Sequence, residues 1–251
     1  MLRFLTPLLL GASLFAELHE ADRYDFDQAA AKAYCASLGS SWRLLGIKEL
    51  FTLRGDRRFS QEESFWSSGT AYDGISRIST GSEGDAGQQR GAQIGYTLFL
   101  RDGDVTLAPL SKKTGVICTD APPVETSPRY EQGPIGVKDF QNDILWADLD
   151  THDKKTKRTF EEAQRFCEDL NLHGRSWRLP SLEELYGIVT YDRFSPSVDT
   201  GTFGVMMSRY YWSDDTFGEH EAYVVGFKLG SVATSTKSNH SYFRCVSDLD
   251  E

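Results

Sequence analysis

Hydrophobic spacing divides this chain into short elements. Between Asp27 and Gly39, residues Ala30, Ala33, Tyr34, Ser37 and Leu38 recur at helical spacing. That spacing predicts a helix, with Asp27 able to cap its start and Gly39 able to close its end. Gly46 to Leu53 predicts a second helix, with Leu50 and Leu53 on its apolar side and Glu49 early. Phe65-Trp66-Ser67-Ser68 opens a strand, and the Gly- and Ser-rich residues 69–94 read as a long loop. Tyr96 to Leu100 and Val105 to Ala108 flank Asp102-Gly103, a hairpin signal. Gly115 to Thr119 predicts a closing strand.

Beyond Pro122 the same order returns. Ile144-Leu145-Trp146 predicts a strand, and Thr159-Phe160-Glu161-Glu162 matches a capping box. The helix it starts runs through Ala163, Phe166, Cys167 and Leu170. Ser181-Leu182-Glu183-Glu184 is another capping box. Tyr211-Trp212-Ser213 starts a strand, Ala222 to Phe227 and Ser231 to Thr234 form a second hairpin, and Tyr242 to Val246 closes the pattern.

The recurrence extends to residue identity. Ser41 to Ser60 aligns without a gap on Ser176 to Ser195, with Ser, Trp, Arg, Leu, Glu, Leu, Arg, Phe and Ser in common. Tyr96, Gly103, Val105 and Cys118 align in a second gapless block with Tyr223, Gly230, Val232 and Cys245. Two gapless blocks flanked by matching cysteines indicate a duplication. The expected organisation is a first module at 17–121, a linker at 122–133 marked by Pro122-Pro123 and Pro128, and a second module at 134–251.

Composition narrows the setting. Hydrophobic residues at 39% and charged residues at 25% describe a globular chain. A net charge of −10 argues against nucleic acid as a partner, since a polyanion needs a basic face. The basic run Lys154 to Arg158 reads as a solvated loop. Residues 1–16 read as a signal peptide, with Arg3, an apolar run from Phe4 to Phe15, and Ala16 as the cleavage residue. The run is shorter than a bilayer span, and no transmembrane segment is expected after its removal. A periplasmic or secreted protein meets an oxidising environment, in which an even number of cysteines favours disulfides. Cys35, Cys118, Cys167 and Cys245 allow three pairings. The duplication selects Cys35 with Cys118 and Cys167 with Cys245. Each bond closes a loop of roughly 80 residues, which the chain-entropy model values at about 4–5 kcal/mol.

The pattern of a Cys-bearing helix, Trp177-Arg178-Leu179-Pro180, Tyr211-Trp212-Ser213, an aromatic strand pair and Arg244-Cys245-Val246 resembles the Lcl C-terminal domain family. That family is grouped with C-type-lectin-like and formylglycine-generating-enzyme-like folds. The resemblance covers the second module along its length. In the first module Leu45 replaces the Pro, Ile117 replaces the Arg, and no opening strand with a Trp is found. The resemblance implies an α+β fold of two tandem C-type-lectin-like modules, each with two helices on an irregular, mostly antiparallel sheet. It also implies an exported binding or adhesion role.

Candidate chemistry is sparse. The calcium-site tripeptides Glu-Pro-Asn and Gln-Pro-Asp of sugar-binding lectins do not occur. Asp148, Asp150 and Asp153 could offer carboxylates to Ca²⁺, although Asp153 stands where an EF-hand loop needs Gly. No other cofactor is expected. Asp214, Asp215, Glu219 and Glu221 follow the middle strand of the second module and are candidate ligand contacts on a loop. The five histidines show no metal-ligand spacing, and no catalytic residue is assigned. Trp42, Arg43 and Glu49, with Trp177, Arg178, Pro180, Glu184 and Trp212, read as scaffold. The leading expectation is a non-enzymatic protein that binds a protein or glycan at the cell envelope. An enzyme with its site in the second-module loops, and a structural envelope component, are the alternatives. Non-reducing peptide mapping should recover a Cys35–Cys118 peptide and a Cys167–Cys245 peptide; a Cys35–Cys167 peptide would overturn the duplication.

Overall fold

The computed structural model describes residues 17–70, 94–122, 129–149, 151–191, 193 and 195–250. The signal-peptide segment 1–16, most of the loop at 69–94, Pro123 to Pro128 and Asp150 lie outside the described residues.

The first part of the chain forms β1 (Leu18–Glu20), α1 (Gln28–Leu38), β2 (Arg43–Leu44), α2 (Ile47–Thr52), β3 (Ser64–Thr70), β4 (Ile94–Phe99), β5 (Val105–Pro109) and β6 (Ile117–Thr119). The second part forms β7 (Tyr130–Gly133), β8 (Gly136–Asp139), β9 (Ile144–Ala147), α3 (Thr151–Lys154), α4 (Phe160–Glu168), α5 (Leu182–Gly187), α6 (Thr200–Phe203), β10 (Tyr210–Phe217), β11 (Glu221–Gly226), β12 (Ser231–Thr236) and β13 (Val246–Asp248). The fold is mixed α/β, with short helices and three antiparallel sheets among the described residues. No helix there is long and apolar enough to cross a membrane.

Local chemistry starts each main helix. Asp27 accepts a hydrogen bond from the Ala30 amide at 2.9 Å, which satisfies one of the unpaired donors at the start of α1. Thr159 and Glu162 form a reciprocal capping box on α4, and Ser181 and Glu184 form one on α5. The disulfides then fasten helix to strand. Cys35 on α1 is bonded to Cys118 on β6, and Cys167 on α4 to Cys245 just before β13. All four cysteines are fully buried. A small apolar cluster surrounds each bond: Phe26, Ala31, Leu44, Trp66 and Val116 around the first, and Phe160, Ala163, Trp177, Trp212 and Phe243 around the second. The indole N–H of Trp66 donates to the Phe26 carbonyl at 3.0 Å, and that of Trp212 to the Arg158 carbonyl at 3.0 Å.

Two expectations change, and the first half gains an opening strand without a Trp. β1 pairs with β6, Leu18 opposite Thr119, much as β9 pairs with β13, Trp146 opposite Val246. The strand was missed because Leu18-His19-Glu20 carries no apolar run. Residues 130–133 were placed in the linker but form β7, which pairs with β8 and extends a four-stranded sheet in the order β13-β9-β8-β7. At the end of the second half, Tyr242 makes a single parallel bridge to Tyr211, and regular pairing begins at Val246. Finally, each half does not keep a sheet to itself. β12 lies against β5, giving one six-stranded sheet in the order β10-β11-β12-β5-β4-β3.

That junction is built from positions that the sequence alignment equates. Val105 on β5 pairs with Val232 on β12. Below the sheet, Phe51 on α2 packs on Tyr186 on α5 with ring centroids 4.2 Å apart. Tyr96 meets Tyr191 at 4.5 Å, Lys48 donates to the Gly187 carbonyl at 3.0 Å, and Arg54 is paired with Glu183. The largest apolar cluster therefore draws on both halves, from Leu50, Phe51, Leu98 and Ile117 to Leu185, Tyr186, Val225 and Phe227. Phe51 is 5% exposed, so Phe51→Ala should cost about 3–5 kcal/mol, a large share of the stability of an ordinary domain. Because the core is shared, urea unfolding followed by tryptophan fluorescence should remain a single transition with a lower midpoint. A separate early transition, leaving the second half folded, would show that the halves are energetically independent.

Candidate functional site

The Trp-Arg-Leu motif proves to be a clamp. Arg178 donates two hydrogen bonds to Glu184 at 2.8 Å each, while the Ser181 amide donates to the same carboxylate at 2.7 Å. Arg43 and Glu49 repeat the arrangement at 2.8 and 2.6 Å, with the Gly46 amide in place of that of Ser181. The Glu184 carboxylate beside Arg178 holds the guanidinium pKa above its usual range, so the charge is permanent. Arg43 also donates to the carbonyls of Ala121 and Pro122, and Arg178 to Asp248, so each arginine ties a helix start to the strand that closes its half. Trp177 and Trp212 are buried, Trp42 is half-buried, and the buried Pro180 offers its carbonyl to the Asp214 amide at 2.8 Å. These side chains are spent on the scaffold.

The acidic candidates do not converge. Asp214 and Asp215 lie within β10 and Glu221 within β11, so the expected ligand loop is a hairpin with Glu219 at its turn. Pairing with β11 is interrupted by a register shift after Trp212 and resumes at Thr216 opposite Ala222, which the charged side chains concealed in the sequence. Asp215 accepts from the Leu182 amide at 2.5 Å and Asp214 from the Gln164 side chain at 2.8 Å, so both stitch β10 to helices. Asp148 is held by Lys154 at 2.6 Å, and Asp153 lies 3.5 Å from Arg158. Asp150 is outside the described residues. Among the described residues no group of three His, Cys, Asp or Glu side chains could hold a metal ion, and the third member of the calcium candidate, Asp150, is not among them.

A different place is built to receive something. A cavity of about 230 Å³ opens between the β7–β8 hairpin, β9, α6 and Arg244. Gln132, Gly133, Gly136 and Val137 form one wall, and Trp146, Ala147 and Asp148 another. Ile188, Thr202, Phe203 and Gly204 complete the lining. Glycine is required at 136: its φ is +150°, and a Cβ there would stand 2.0 Å from the Trp146 carbonyl oxygen. Gln132 holds the hairpin to α6 by donating to the carbonyls of Gly201 and Thr202 at 2.6 and 2.8 Å.

Arg244 is the unusual member. It is 5% exposed. Nε donates to the Met206 sulfur at 3.1 Å, and Nη2 to the carbonyls of Phe203 and Val205 at 2.9 and 2.8 Å. Those are its side-chain hydrogen bonds among the described residues, and none goes to a carboxylate. Burial lowers its pKa from the ordinary value, offset in part by Tyr211 and Asp148. Trp146 is also buried, and its indole N–H has no acceptor among the described residues.

Residues 136–247 match the family model of the Lcl C-terminal domain. No curated protein matches the chain. The Lcl C-terminal domain match contains most of the cavity lining, from Gly136 to Arg244, while Gln132 and Gly133 precede it. In the first half Ile117 aligns with Arg244 and is fully buried in the shared core. Sequence reasoning passed over the cavity residues because β7 lay inside the expected linker. One signal was present, an arginine in the otherwise apolar stretch Tyr242-Phe243-Arg244-Cys245-Val246.

Glu184→Ala removes both the partner of Arg178 and the cap of α5. Charge-assisted hydrogen bonds of this kind sustain about 1–3 kcal/mol, and that loss should appear in chemical denaturation. A change within about 0.5 kcal/mol, normal for a surface position, would show that the clamp contributes nothing.

Proposed function

We propose that the chain is an exported, non-enzymatic binding protein of the cell envelope, periplasmic or secreted, made of two tandem C-type-lectin-like modules with the ligand site in the second. The modules are residues 17–121 and 134–251. The observation that carries the reading is the cavity at Arg244. Its lining offers a guanidinium, an amide and a hydroxyl among apolar and glycine residues, together with a carboxylate already held by Lys154. Such a concave, largely apolar site with a few convergent polar groups suits recognition. The tandem reading is supported by the paired disulfides, the paired Arg–Glu clamps and the contacts between equated positions. Contact of Val105 with Val232 and of Phe51 with Tyr186 is what an approximate two-fold relation between modules produces. On this reading the first module supports the second. Export is supported by two buried disulfides, which persist in an oxidising compartment.

Gly133 lines the cavity, and a Cβ there meets nothing closer than the Gly136 carbonyl at 3.6 Å, so Gly133→Leu adds bulk at the cavity without backbone strain. On a printed array of glycans and peptides, the wild-type chain should retain spots that Gly133→Leu loses. Spots unaffected by the substitution would place the site elsewhere, and a mass change in a retained ligand would replace the binding reading with an enzymatic one.

A further inference from the structure

The cavity combines features that define its ligand more narrowly. A guanidinium cannot shed its proton at physiological pH, so Arg244 carries a full positive charge in a nearly dry setting. Two carbonyls and a thioether absorb Nε and Nη2. Nη1 has no hydrogen bond among the described residues, and it is not one of the fully buried unpartnered atoms there. It is thus the donor left open. Asp148, the carboxylate in the lining, is exposed, paired with Lys154 at 2.6 Å, and acts on Arg244 only as an unbonded charge. A buried ion without a counter-ion destabilises a fold by several kcal/mol, whereas an aligned hydrophobic residue would not. The first half shows that alternative, since Ile117 fills the aligned position. Around the open donor the walls are apolar and aromatic: Trp146, Phe203, Val137 and Ile188, with Trp146 and Phe203 at right angles and 5.8 Å between ring centroids.

We propose that the cavity binds a small organic carboxylate, with the carboxylate accepting a hydrogen bond from Nη1 of Arg244 and its apolar body lying against Trp146 and Phe203. The proposal rests on the reading of this cavity as the ligand site. A carboxylate supplies a directly paired counter-charge, and its charge-assisted hydrogen bond to Nη1 is stronger than one a neutral acceptor would make. The volume of about 230 Å³ restricts the bound portion to a single ring or short chain.

Benzoate and its neutral isostere benzamide separate the two levels of the argument. They are titrated into the full chain at constant ionic strength, with binding followed by tryptophan fluorescence and calorimetry. Benzoate should bind saturably and benzamide at least ten-fold more weakly. Arg244→Met, an apolar replacement of similar length, should reduce benzoate affinity by ten-fold or more. Gly133→Leu should abolish binding with Arg244 intact, which keeps the test available if Arg244→Met does not fold. Equal binding of both probes, sensitive to Gly133→Leu but not to Arg244→Met, would overturn the carboxylate and leave the cavity as a ligand site. Binding of benzoate unaffected by either substitution, or no saturable binding of either probe, would overturn both.

Discussion

Each half of this chain ends its three-stranded run at an edge, β5 in the first and β12 in the second, and an open edge presents unpaired amides and carbonyls to any passing strand. The chain meets that constraint by setting the two edges against each other. Val105 and Val232 pair, both essentially without solvent exposure, and the sheet continues through six strands. Once the edges meet, α2 and α5 are brought together beneath them, and Phe51 and Tyr186 close the space. The large apolar cluster is a product of this junction. Neither half alone would enclose Leu50, Leu98, Leu185 and Val225 in one core.

The junction also distributes labour. Equated positions serve the same mechanical ends in both halves: a disulfide from helix to closing strand, an Arg–Glu clamp at a helix start, a buried Trp anchored through its indole N–H. What is not equated gathers at one place. β7, β8 and α6 have no aligned partner among the described residues of the first half, and Arg244 stands where Ile117 stands. The cavity is made from these additions. The cavity thus lies where the second half departs from the first.

Two patches of acid stand out in the sequence, and their described aspartates are engaged with neighbours. The reason is the same for both: a carboxylate near a helix start or a basic side chain finds a local partner before it finds a ligand. Asp215 binds an α5 amide, and Asp148 binds Lys154. A cluster in sequence becomes a cluster in space only if nothing closer competes, and alternation along β10 sends neighbouring side chains to opposite faces. Arg244 shows the converse. It is isolated in sequence, yet the single stretch from Phe203 to Met206 wraps it with two carbonyls and a sulfur.

The sequence by itself determined the short-range parts. Capping boxes at Thr159 and Ser181, hairpin turns and, through the internal sequence alignment, the disulfide partners were legible, because each depends on neighbours or on recurring spacing. The family resemblance of the second half was legible for the same reason, carried by Trp177 to Pro180 and Arg244 to Val246. Only the tertiary structure decided the rest. Whether β5 and β12 pair depends on the free energy of burying two edges at once, which no local pattern encodes. β1 is a strand because β6 lies beside it, and β7 because β8 does. The isolated charge of Arg244 acquired meaning only when folding removed the water around it and left one of its donors unanswered.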